Sequence, residues 1–332
     1  MIILVHLVVS LGMLVIVPLG LTLMDVPARP ALGPSSRPAP RWWFAFAVPG
    51  AVSLWLPRGA LSITLASIYL AGTLALVVLA AVDLVRRKRL RAREIALYTA
   101  LVTPSIAALS LVAERSSYEL FGFNLTVLSL TVAHFHFAGF AAALIAFLVA
   151  GTSTATSTAP RTGTGALADS SSAAARTGTG ALADSSSAAA RTGTGALADS
   201  SSRAASAASA ASAAAISVPL GTGIVLLGFF LGDSVELAGA AVLTAGMWLV
   251  GWHLWRRSRE TDRTTATLLV VSASVLVVTM LLALSWALGH VVATPYLPLE
   301  WMVATHGLAN AVGFGLCGLL ARRRLQAAEG VR

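Results

Sequence analysis

The chain has 332 residues, 57% of them hydrophobic and 11% charged, with a mean hydropathy of +0.81. Soluble domains carry about 25% charged residues, so this composition excludes a water-soluble fold. The net charge of +9 invites a nucleic-acid reading, but the basic residues lie in short stretches between apolar runs, and no nucleic-acid partner is expected.

The first 24 residues lack a basic leader and a small-residue cleavage site, so they are predicted to form an uncleaved first helix. Further apolar runs follow at Trp43–Leu56, Ala60–Val82, Ile95–Ala113, Phe121–Ala150, Ile216–Leu231, Val235–Trp255, Thr267–His290 and Trp301–Ala321. About 20 apolar residues suffice to cross a hydrocarbon core roughly 30 Å thick. The fold class is therefore all-α, a polytopic transmembrane helix bundle of about nine spans. The second run is short and carries Pro49 and Gly50 centrally, the pattern of a broken or re-entrant segment.

Lys and Arg alternate between the connecting segments. Three lie in residues 25–42, six in 83–94, four in 151–215, four in 256–266 and four after 321. Only Arg58 and Arg115 fall in the intervening segments, beside Glu114, Glu119, Asp233, Glu236 and Glu300. By the positive-inside rule the N-terminus is expected outside and the C-terminus in the cytoplasm. Lys88 is the single lysine beside 22 arginines; with the Ala, Val, Leu and Gly bias this suggests a GC-rich bacterial gene and a bacterial plasma membrane. The bilayer is the expected partner, with anionic lipid a candidate at Arg86, Arg87, Lys88 and Arg89.

Between the fifth and sixth spans a 15-residue unit repeats three times, from Arg161, Arg176 and Arg191. Such Ser/Thr/Gly/Ala text offers few large apolar groups to bury, which predicts a mobile cytoplasmic linker. The expected organisation is a first group of five spans (residues 1–150), the linker (151–215), a second group of four spans (216–321) and a basic tail (322–332). Cys317 is the only cysteine, so no intrachain disulfide forms.

Polar groups carried into lipid cost roughly 2.5 kcal/mol or more when ionisable and unpartnered, so they mark function. The fifth span contains His134 and His136, and the ninth aligns His306, Asn310 and Gly313 on one face. Residues two apart on a helix diverge by about 200°, so His134 and His136 address different neighbours unless the backbone leaves α geometry there. Thr131, His134 and Ala138 form one stripe; Ser129, Val132, His136 and Phe140 form another. The candidate polar site is His134, His136, His306 and Asn310, expected to line one cavity open to the outside. His6, Glu114, Glu119, Asn124 and Glu300 are secondary candidates. His134, His136 and His306 are also the candidate metal ligands, and a haem held by two facing histidines is a further arrangement; the sequence itself names no cofactor. Metalloprotease, serine-hydrolase and phosphate-loop patterns are missing, so any enzyme reading rests on histidines alone.

At these residues the chain resembles the YndJ-like family of bacterial integral membrane proteins. The resemblance rests on AHFHFAGF at Ala133–Phe140, THGLANAVGFG at Thr305–Gly315 and VPLGL at Val17–Leu21. It singles out His134, Phe135, His136, Gly139, Phe140, His306, Gly307, Asn310, Gly313 and Phe314, and implies a multi-pass membrane protein without implying a reaction. Three classes follow: a small-molecule or ion transporter with a histidine-lined intramembrane site, a membrane-embedded metal or haem enzyme, and a membrane scaffold without chemistry.

Overall fold

The computed structural model describes residues 1–24, 41–88, 90–157, 183–292 and 294–329, with side chains outside 152–157, 183–201 and 203–204. Nine helices follow in order among these residues: α1 (Ile2–Leu23), α2 (Arg41–Ser53), α3 (Ala60–Arg87), α4 (Ala92–Arg115), α5 (Leu125–Gly151), α6 (Ala183–Leu231), α7 (Asp233–Ser258), α8 (Arg263–Val292) and α9 (Leu299–Glu329). No strand occurs among the described residues. All but α2 contain a stretch long and apolar enough to cross a membrane.

Helix α2 has 13 residues, about 20 Å of rise, less than a hydrocarbon core. Its fully buried Trp43 packs level with the middle of α1, where the indole Nε1 donates to the Met13 carbonyl at 2.8 Å. Its far end is closed by Arg115, whose guanidinium donates to the carbonyls of Ser53, Leu54 and Leu56 at 3.2, 3.4 and 3.3 Å. These carbonyls would otherwise be orphans of a helix C-terminus. Glu114, 1% exposed, accepts from Arg115 and, at 2.7 Å, from Arg58. A 13-residue helix thus stands in the position of the expected second span.

The chain ends α1 at the basic end of the bundle, where the Leu23 carbonyl accepts from Gln326 of α9. It enters α3 at the opposite end, beside Arg58 and Glu114. The end of α1 and the start of α3 therefore lie at opposite ends of the bundle, although the described helix between them is short. The start of α1 and the end of α9 lie at opposite ends of the bundle.

Helix α6 begins at Ala183, well before the expected span start at Ile216. Alanine has the best intrinsic helix propensity, and Ala211, Ala214 and Ala215 are buried against neighbouring helices. The third repeat unit and the Ala/Ser run after it are helical. The first repeat and the start of the second, like Arg89, lie outside the described residues.

Three helices depart from α geometry near mid-membrane. Wide π turns occupy Gly12–Ile16 in α1, Phe135–Ala141 in α5, and Val303–Gly307 and Ala309–Leu316 in α9. In α1 the turn precedes Pro18, which has no N–H to return to the turn before it. The π turns of α1, α5 and α9 pack on one another. A Cβ on Gly12 would lie 2.8 Å from the Cβ of His136, and one on Gly315 would lie 3.3 Å from the ring of Phe137. At Gly12 glycine permits an approach that a side chain would block.

Candidate functional site

Helices α1, α5, α6, α7, α8 and α9 line a partly open cavity of about 400 Å3. Its walls are mostly Val, Leu, Ala, Phe and Met; its polar groups are Thr131, His134, Glu236, Thr244, His306 and Asn310. It reaches the non-basic end at Val127, Phe229, Glu236 and Leu299, and Phe137, Met247 and Phe314 line it on the other side.

His306 is held on both nitrogens. A carbonyl only accepts, so the 2.8 Å contact of Nδ1 with the Thr279 carbonyl puts the ring proton on Nδ1. The neutral ring's Nε2 then accepts from the Asn310 amide at 3.3 Å. The amide oxygen of Asn310 in turn accepts from the Thr279 hydroxyl at 3.0 Å. One residue of α8 thus fixes both polar groups of α9. His134 faces the same cavity and has no hydrogen-bond partner among the described residues, so its ring is available to a guest.

His136 does not line the cavity. It is fully buried, its Nδ1 donating to the Val132 carbonyl and its Nε2 accepting from the Tyr69 hydroxyl, both at 2.6 Å. The π turn beginning at Phe135 leaves the two histidines on different neighbours: His134 on the cavity, His136 on α3. The expectation that all four candidates line one cavity is therefore corrected, because the course of the α5 backbone turns His136 away. Thr131, His134 and Ala138 all line the cavity.

Among the described residues no three His, Cys, Asp or Glu side chains gather closely enough to hold a metal ion. Both nitrogens of His136 and of His306 are engaged by protein groups. Of the three candidate ligands, His134 alone keeps a ring free of such bonds among the described residues.

Compared with known protein families, the chain matches the model of the YndJ-like protein family over residues 7–178 and 186–314. The chain belongs to this family. The match takes in every polar group that lines the cavity and the Tyr69–His136 pair. No curated protein and no solved structure matches the chain.

The secondary candidates of this YndJ-like protein serve elsewhere. His6 turns away from the cavity, its ring edge-on to Trp55 and its Nε2 buried without a hydrogen-bond partner. Glu114 belongs to the Arg58–Arg115 cluster that closes α2. Glu119 and Glu300 are exposed, and Asn124 caps α5 by accepting from the Val127 N–H at 3.0 Å. Sequence reasoning missed Tyr69 and Thr279, whose partners lie on other helices, and left Glu236 as one acidic residue among several at its end.

Proposed function

We propose that this protein transports a small molecule or ion across the bacterial plasma membrane through the cavity that His134, His306 and Asn310 line. The observation that carries this reading is the partly open cavity itself: six helices converge on it and it reaches the non-basic end. Transporter sites lie near the bilayer midplane between helices that are broken or unwound, and π turns mark hinges and functional sites. Helices α1, α5 and α9 carry such turns beside the cavity, and α2 is a half-length helix with Pro49 inside. The positive-inside rule puts the basic end in the cytoplasm, the N-terminus outside, and the mouth near Glu236 outward. Arg86, Arg87 and Lys88 at the basic end suit anionic headgroups.

Transport requires the floor of the cavity to be reached from both faces. Cys317 is the only cysteine, so Cys317→Ala provides a thiol-free background in which Met247→Cys marks the floor. Transport predicts labelling of that thiol by a membrane-impermeant maleimide in both right-side-out and inverted vesicles. Labelling from the Glu236 side alone means a one-ended binding or reaction pocket and sinks the transport reading.

A further inference from the structure

The charges that face the cavity differ from those of the chain. The protein has 23 basic and 14 acidic residues. Among the described residues, however, the cavity is lined by no Lys or Arg and by one carboxylate, Glu236. Glu236 sits in the first turn of α7, where the helix dipole favours an anion. Its backbone packs closely against α6. A Cβ on Gly228 would lie 2.5 Å from the Glu236 backbone, and the α6–α7 turn passes through Gly232 at φ 114°. The carboxylate has no hydrogen-bond or ion-pair partner among the described residues; the titratable groups that act on it are His290 and Asp233.

Around and below it the surface is apolar and aromatic. Phe135, Phe137, Phe229 and Trp286 line the space, and His134 presents an unpartnered ring deeper in. An inorganic cation is poorly served here: magnesium and calcium want six or more oxygen ligands, and these walls cannot replace a hydration shell. An organic anion would meet a like charge at the mouth and no Lys or Arg within. A weakly hydrated ammonium on an apolar body has its charge matched by Glu236 and its body matched by the aromatic walls, whose faces attract cations.

We infer that the cavity takes a monovalent organic cation, an amine or quaternary ammonium with a compact apolar body, and that Glu236 is the group that selects for its charge. The inference rests on reading the cavity as the substrate site. The binding half of it stands whether or not the substrate crosses the membrane.

The test is isothermal titration of the detergent-purified full chain with benzyltrimethylammonium, with phenylmethanesulfonate as the charge-reversed probe. The expected result is saturable binding of the ammonium at one site and none of the sulfonate. Glu236→Gln weakens the ammonium roughly tenfold or more, Glu236→Asp keeps most of the affinity, and the exposed Glu300→Gln changes nothing. Absence of saturable ammonium binding, sulfonate binding of similar strength, or an unaltered affinity in Glu236→Gln overturns the inference. Ammonium binding with floor labelling from one face only removes transport and keeps this inference. Two-faced labelling without Glu236-dependent ammonium binding does the reverse.

Discussion

The Tyr69 hydroxyl donates to Nε2 of His136 at 2.6 Å in a place where both side chains are 0% exposed. The two rings stack with planes 19° apart, and Trp43 stands edge-on to Tyr69. One polar contact thereby joins α3 to α5, and the edge-on ring of Trp43 joins α2 to the pair.

Replacing Tyr69 with Phe leaves Nε2 a buried acceptor without a donor. A membrane hydrogen bond averages about 0.6 kcal/mol, whereas stranding a buried polar group costs roughly 1–3 kcal/mol. The full burial of both partners puts Tyr69→Phe in the second range. Chemical unfolding in detergent measures it. The double variant with His136→Leu should cost less than the sum of the two singles, since it removes both halves of the pair. Additive losses mean that the phenol and the imidazole do not interact.

The α1–α5 crossing makes a separate prediction. Gly12→Ala drives a methyl to within 2.8 Å of the His136 Cβ, and such overpacking costs roughly 1–3 kcal/mol. Gly223→Ala, on α6, meets nothing within 4 Å and should be close to neutral. Thermal melts of the two variants side by side check this; equal behaviour means that the crossing is looser than Gly12 implies.

Charge placement made most of the fold legible. The alternation of Arg-rich and Arg-poor segments matches the ends of the bundle at which α1 stops and α3 starts, although α2 is too short to cross alone. The helix over the third repeat was hidden because a lack of large apolar residues reads as linker, while alanine's own preference for helix carries no periodic mark. In the candidate site, His306 and Asn310 share a face by their spacing of four, which a sequence displays directly. Tyr69, Thr279 and Glu236 could not be found that way, because their roles depend on which helices pack side by side. His136 stands two residues from His134, and only the packing of α5 against α3 tells the one histidine from the other.

The basic end contributes a pH dependence. Asp262, in the loop before α8, is held at a pKa of about 2, first by the hydroxyl of Thr265 and its backbone N–H, then by Arg324. Its folded value lies below its unfolded one near 3.9. The stabilisation is therefore fully present above about pH 4 and is lost as pH falls through about 2. Because Arg324 of α9 also donates to Asp262 at 3.3 Å and to Thr265 at 3.0 Å, acid should loosen the C-terminal helix first. The Tm difference between the protein and Asp262→Asn should be largest at neutral pH and shrink between about pH 4 and 2. A difference that is constant across this range removes the carboxylate as the cause.

The last prediction concerns a hydroxyl with one proton and two acceptors. Thr279 Oγ1 lies 2.9 Å from the Val275 carbonyl and 3.0 Å from the Asn310 amide oxygen. It can donate to only one at a time. With the proton on Asn310, the amide nitrogen faces His306, and the ring must be the Nδ1–H tautomer with Nε2 accepting. With the proton on Val275, the amide is free to reverse, and its oxygen then asks His306 for a proton on Nε2. Nitrogen NMR of histidine-labelled protein distinguishes these states, since a proton-bearing and a bare ring nitrogen differ widely in chemical shift. The expected spectrum assigns His306 a protonated Nδ1 and a bare, hydrogen-bonded Nε2. Asn310→Leu should shift the Nε2 signal by removing its donor, while Thr279→Val should leave the Nδ1 proton in place, because the backbone carbonyl that accepts it is unchanged. A His306 ring carrying its proton on Nε2 alone would lose the bond to the Thr279 carbonyl, which cannot donate, and would turn the Asn310 oxygen toward Nε2.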